Sequence, residues 1–161
     1  MKRVSDRLGH LPPSATLGIA ARARELRAAG VDVISFGAGE PDFPTPEHVV
    51  AEAARACFNP ENHKYTPAAG LPQLRKAIAE DVARYSKVEV DWSEVMVTNG
   101  AKQAVFQAFA ALLDPGDEVL LPSPHWVTYP AGIDMAGGTT VSVPTRLDEG
   151  FKVTVDSLEM A

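Results

Sequence analysis

The chain holds a single cysteine, Cys57, in 161 residues. One thiol excludes a disulfide framework and a cysteine-based metal centre, and it fits a reducing compartment. Long apolar runs are also missing. Nothing approaches the roughly 20 residues that a membrane-spanning helix needs. The opening "MKRVSDRLGHLPP" is basic, yet no apolar stretch follows it, so it does not read as a secretory signal. Positive charge is scarce. With 15 Lys and Arg against 21 Asp and Glu the formal charge is −6, which argues against a broad nucleic-acid surface. The expectation is a soluble, cytoplasmic protein with no metal and with neither membrane nor nucleic acid as partner. What is present suits a packed core: 45% of the residues are hydrophobic and 22% charged, in a length typical of one domain.

Local signals divide the chain. Pro12-Pro13-Ser14 closes an irregular arm, and Ser14 is placed to cap a helix running to Ala29 and stopped by Gly30. Val31–Phe36 reads as a short strand. "GAGEPDFPTP" (37–46) is too rich in Gly and Pro for either element. Thr45 is set to cap the next helix with Pro46 at its first position. Pro72 opens another, with Leu74, Ile78, Val82 and Tyr85 as its apolar stripe. Strands then alternate with helices: Val95–Thr98, a helix over Lys102–Leu113, Glu118–Leu121, a helix over Val127–Ala136, and Thr139–Val143. That alternation predicts parallel strands with helices on their faces, an α/β layer fold. Asp156, with Glu159 three residues on, resembles a capping box, but a helix of about five residues cannot repay its nucleation. The expectation there is a missing helix and a chain that is the front part of a longer protein.

The stretch "VTNGAKQAVFQAFAALL" (97–113) carries the most chemistry. A helix that starts directly after a strand offers its first amides to the space above the sheet, where an anion is favoured. Gly100 admits close approach and Ala101 adds little bulk. Neither a Walker loop nor G-x-G-x-x-G is matched. Judged alone, this is either an anion site or a tight turn with a solvated Lys102. Gln103 and Gln107 lie one turn apart, while Val105, Phe106, Phe109, Leu112 and Leu113 predict a helix buried on most sides. "SPHWVTYP" follows the next strand and should reach the same rim, so Trp126 can stack on a flat ring or merely cover the sheet edge. His125 is either a base or a solvated loop histidine.

Taken together, "PSAT" (13–16), "GAGEPDF" (37–43), "KYTPAAG" (64–70) with Leu74-Arg75, "TNGAKQA" (98–104), "DPGDEV" and "SPHWVTYP" resemble the pyridoxal-phosphate-dependent aminotransferases of fold type I, class I, and within them the bacterial aspartate aminotransferases. The segments run in family order across nearly the whole chain. The resemblance implies an α/β three-layer sandwich with a mostly parallel sheet, present here in its N-terminal part. Residues 1–45 would form the arm and the start of the small domain, and 46–161 the first part of the large domain. It implies pyridoxal 5′-phosphate as cofactor, an amino acid and a 2-oxo acid as substrates, and a homodimer. Gly100, Ala101 and Lys102 match the phosphate-binding turn, and Trp126 the aromatic over the cofactor ring. Gly39 matches the backbone group at the substrate α-carboxylate. Tyr65 resembles the tyrosine offered to the partner's cofactor phosphate. Thr16, Lys102 and Trp126 fall among the substrate-binding positions, the first two at the distal carboxylate of an acidic amino acid.

Plainer readings stand beside these. Tyr65 can pack under its own loop, Thr16 can be an ordinary first-turn residue, and Arg75 suits a structural role better than a catalytic one. The family's Schiff-base lysine has no counterpart here: Lys2, Lys64, Lys76, Lys87, Lys102 and Lys152 all stand in other contexts. No catalytic residue is therefore assigned, and transamination of aspartate type is expected of the full-length protein and not of these residues alone. Prephenate-accepting members carry a basic residue where this chain has Pro12, which lowers the expectation of that activity. The alternatives are another reaction of the same cofactor, a β-lyase or a broad-specificity transaminase, and a non-catalytic binding or dimerisation module.

Overall fold

The structure is a computed structural model that describes residues 5–9, 11 and 13–161. Pro12, weighed above for prephenate, lies outside the described residues. The chain forms two compact units: residues up to Ala38 with Asn99–Ala161 make one, and Gly39–Thr98 the other.

In the first unit, α1 (Asp6–Gly9) precedes α2 (Ala15–Ala28). Ser14 caps α2 as expected, its hydroxyl accepting the Leu17 N–H at 3.4 Å. Beyond α2, Arg27 donates from Nε and Nη2 to the Val33 carbonyl, at 3.1 and 2.9 Å. Here the structure corrects the sequence reading, because 31–36 is no strand. The run has β-branched residues, but no ladder partner stands beside it among the described residues, and Ile34 and Phe36 are exposed.

The core of this unit is a β-α-β element. Strands β1 (Glu118–Ser123) and β2 (Thr139–Pro144) pair in parallel, Leu121 opposite Ser142 and Pro122 opposite Val143, with α6 (Thr128–Ala136) between them in sequence. The arrangement is α/β, as expected. Leu121, Ile133 and Val143 are buried, the last two completely. Two glycines allow the close approach. A Cβ on Gly132 would lie 3.2 Å from the Phe109 ring, and one on Gly138 would lie 2.9 Å from Leu113 Cδ1. Helix α6 packs on both β2 and α5 (Ala101–Leu112), on the latter across Gly132.

Two further expectations change. Helix α5 is not buried on most sides: Val105 and Phe109 are half-buried, while Phe106 and Leu112 are exposed. Only one face of the helix finds cover among the described residues. At the other end, α7 (Val155–Glu159) does form. Its cap is Thr154, not Asp156. The Thr154 hydroxyl accepts the Ser157 N–H at 3.2 Å, and the Ser157 hydroxyl accepts the Thr154 N–H at 3.1 Å. Contact with β2 supplies what so short a helix cannot provide for itself.

The second unit holds α3 (Glu47–Cys57), a 3-10 turn (Pro60–His63), α4 (Pro72–Ser86) and a second 3-10 turn (Trp92–Glu94). Pro46 caps α3 without a side-chain bond, so Thr45 stands one residue too early for the role expected of it. Of the α4 stripe, Ile78 and Val82 are half-buried, while Leu74 and Tyr85 are exposed. Val95–Thr98 forms no strand among the described residues; a backbone bond, Val97 N–H to the Ala69 carbonyl at 3.0 Å, ties it to the 64–70 loop. Arg75 proves structural. Its guanidinium donates to the carbonyls of Val95 at 2.6 Å and Ser93 at 2.7 Å while lying 4.9 Å from the centre of the Trp92 ring.

Candidate functional site

The site grows from the turn into α5. Gly100 is the N-cap, with φ 82° and ψ 167°, a conformation an L side chain rarely adopts. Glycine brings no side chain of its own to cap the helix, and a Cβ built on Gly100 would meet nothing within 4 Å. The backbone at the start of α5 is therefore approachable, and it carries the partial positive charge of a helix N-terminus. Ala101 and Lys102 complete the first turn, and both are exposed.

Lys102 does not point away into solvent as a lone charge. Its Nζ lies 5.6 Å from the centre of the Trp126 ring, a cation–π contact. Trp126 is 39% exposed. Its other neighbour is Tyr129, three residues on, which meets it edge to face at 5.5 Å between centroids and 89° between planes. This geometry fixes the indole plane yet leaves area uncovered. The expectation that "SPHWVTYP" returns to the head of α5 is met by this pair. The loop passes through a cis peptide at Ser123-Pro124. His125 turns its Nδ1 to the Trp126 carbonyl at 3.2 Å, a contact between sequence neighbours.

Thr16 is the second residue of α2 and is half-buried, in the same unit as α5. Gly39 and Tyr65 belong to the other unit. Gly39 is exposed, with open space where a Cβ would stand. Tyr65 is fully exposed, so it does not pack under its own loop. That loop is clasped to the end of α3: Asn62 Nδ2 donates to the Ala56 carbonyl at 2.8 Å, and His63 Nε2 to the Cys57 carbonyl at 2.9 Å.

Sequence reasoning missed two features. Gln103 Oε1 accepts the Asn99 N–H at 2.6 Å, drawing the entry to Gly100 back onto the first turn of α5. A Gln at the third helical position was the available signal, since such residues often reach back to the preceding backbone. The edge-to-face ring pair was legible in the spacing of Trp126 and Tyr129 alone. Among the described residues no cluster of His, Cys, Asp and Glu could hold a metal ion, and no helix is long and apolar enough to cross a membrane.

The donor set can be tested against a phosphorylated aromatic cofactor. Such a group needs approachable amides without a competing side-chain cap, a residue without a Cβ at closest approach, and a flat apolar face nearby. Gly100, the first turn of α5 and Trp126 offer these, so the residues fit.

Comparison with known proteins gives three findings. A family model described as aminotransferase class I and II matches residues 31–161. An aspartate aminotransferase of Streptomyces avermitilis is 56% identical over 160 residues, covering 99% of this chain and 39% of that protein; a probable aspartate aminotransferase of Streptomyces griseus is 53% identical, with 99% and 75% covered. The aspartate aminotransferase of Thermus thermophilus, solved with maleate, superposes with a TM-score of 0.90 at 46% identity, over 100% of this chain and 42% of that one.

Proposed function

We propose, on the premise that this chain belongs to the class I and II aminotransferases, that the whole protein moves an amino group between aspartate, or a similar acidic amino acid, and a 2-oxo acid. Aminotransferases of this family use pyridoxal phosphate. The observation that carries the reading is the turn into α5 at Gly100, where a Cβ would meet nothing within 4 Å, with the Lys102 ammonium beside the Trp126 ring.

Bound pyridoxal phosphate supplies an aldehyde that accepts the amino group and a ring that draws electrons from the substrate α-carbon. The chain's own residues bind and orient. The amides of Ala101 and Lys102 hold the phosphate, where each charge-assisted hydrogen bond is worth about 1.5–3 kcal/mol. Trp126 covers the ring and fixes its plane. The Lys102 ammonium and the Thr16 hydroxyl meet the distal carboxylate, and the Gly39 backbone meets the α-carboxylate. An ammonium suits such point-charge recognition. Maleate, seen with the Thermus enzyme, is itself a dicarboxylate. The exposure of Tyr65 fits a role toward a second subunit's phosphate in a cytoplasmic homodimer. The division at residue 45 into a small-domain and a large-domain portion belongs to the same proposal. None of the chain's lysines stands in the context of the amine that moves the α-proton, so turnover is assigned to the whole protein.

The test is a half-reaction. The whole protein, loaded with pyridoxal phosphate and given aspartate without a 2-oxo acid, should release one equivalent of oxaloacetate per site and stop until 2-oxoglutarate is added. Continuous release of ammonia would make it a lyase instead. No product from aspartate, glutamate or an aromatic amino acid would overturn the transaminase reading.

A further inference from the structure

Tyr129 plays no part in the functional reading above, yet it holds a residue on which that reading leans. We propose that Tyr129 is a positioning residue for the cofactor ring: its side chain sets the plane of the Trp126 indole, and with it the surface offered to a flat aromatic ligand. The inference rests on the proposed function.

Trp126 stands in the loop ahead of α6 and is exposed, so its own burial does little to choose among its rotamers. Tyr129 differs. It is the second residue of α6 and is half-buried. Gly132 and Ile133, three and four residues on, share its side of the helix, and both are buried. Gly132 lies so close to α5 that a Cβ on it would stand 3.2 Å from the Phe109 ring. The tyrosine is thus the N-terminal end of a packed stripe. From it two contacts reach Trp126. The Tyr129 N–H donates to the Trp126 carbonyl at 3.1 Å, which holds the backbone. The rings meet at 5.5 Å and 89°, which holds the side chain, since turning the indole would give up the perpendicular arrangement that ring quadrupoles favour. Lys102 also approaches the indole, at 5.6 Å, but a flexible stem on an exposed residue follows the ring and does not direct it. An indole already set in its plane meets a flat ligand without first losing rotamer freedom.

The experiment uses the whole apoprotein and pyridoxamine phosphate, which has the cofactor's ring and phosphate but forms no covalent bond with a lysine. In Tyr129→Leu, apolar but without a ring, the dissociation constant should rise about three- to tenfold. Tyr129→Phe keeps the ring and should stay within about twofold of the unsubstituted protein. In a Trp126→Leu background the effect of Tyr129→Leu should vanish, because no indole is left to position. An equal loss in that background would mark Tyr129 as merely structural and overturn the proposal, as would no loss in Tyr129→Leu alone. Tyr129→Phe, which preserves shape, keeps the proposal refutable even where the leucine variant fails to fold: a loss of about tenfold there would assign the effect to the hydroxyl and overturn it. If Trp126→Leu by itself bound the probe as tightly as the unsubstituted protein, the reading of Trp126 as the cover of the ring would fail first, and that outcome is visible before Tyr129 is changed.

Discussion

Replacing Gly70 with alanine tests the fit between the 64–70 loop and the extended segment that follows Trp92. Gly70 has φ 102°, and its N–H donates to the Pro67 carbonyl at 2.9 Å. A Cβ there would stand 2.7 Å from Val97 Cγ2 and 2.8 Å from Val97 Cβ, inside any real contact between carbons. Two costs follow. The left-handed backbone costs an alanine about 1–2 kcal/mol. The clash with a β-branched side chain that cannot swing aside adds about 1–3 kcal/mol. Loss of unfolded-state freedom returns about 0.4–1 kcal/mol. Gly70→Ala should therefore destabilise by about 3 kcal/mol, with about 1 kcal/mol as the lower bound of these terms. Urea unfolding followed by tryptophan emission measures this. The chain's tryptophans are Trp92 and Trp126, so a Trp126→Phe background makes Trp92 the sole reporter of this unit. Val97→Gly, which removes both the Cγ2 and the Cβ, should rescue only the steric part, giving a coupling of about 1–3 kcal/mol in the double-mutant cycle. A single-variant loss well under 1 kcal/mol, or strict additivity, would refute the stated geometry.

Other expectations concern charged groups. Arg75→Lys keeps at most one of the two carbonyl bonds made by the guanidinium, so the same Trp92-reported stability should fall by about 1–2 kcal/mol; an unchanged midpoint would contradict the clamp. Asp91 accepts from the Ser93 hydroxyl and backbone N–H, which hold its carboxyl below the usual range. The unfolded chain thus takes up the proton first as the pH drops. Its contribution is complete above about pH 5, and is lost as pH falls through the lowered folded value. Asp91→Asn should flatten that part of the acid stability curve, and an unchanged slope would count against the bond. Lys102→Met preserves the backbone amide but removes the ammonium. In the whole protein, kcat/KM for aspartate should drop about tenfold or more while that for alanine is largely spared, and an equal loss for both would reject the distal-carboxylate role.

Much of this was legible in the sequence where the cause is local. Ser14, Pro72 and the Asn99-Gly100 dipeptide act on residues within one turn, and the helices after them start within a residue of where they were expected. Strands were read less well. Val31–Phe36 and Val95–Thr98 are richer in β-branched residues than β1, but a strand is defined by a partner, and composition does not say where a partner stands. Burial of α5 was overestimated for a related reason, since an apolar helix says which faces want cover and not which of them find it. Thr154 displaced Asp156 as the cap because both begin plausible boxes and only the chain path decides between them. That Trp126 returns to the rim of Lys102 followed from the alternation of elements, but the cation–π contact between them came only from the fold.

The parallel pairing of β1 and β2 has a kinetic consequence. Every pair in the ladder, from Glu118 with Thr139 to Ser123 with Pro144, has the same separation of 21 residues. A hairpin can zip outward from its tip, each new rung closing a slightly larger ring than the last. Here all rungs close rings of equal size, so none is entropically early and the ribbon assembles in one concerted step. Formation of α6 shortens the span to be bridged, so helix must precede ribbon, and substitutions that loosen α6 should slow assembly of the sheet.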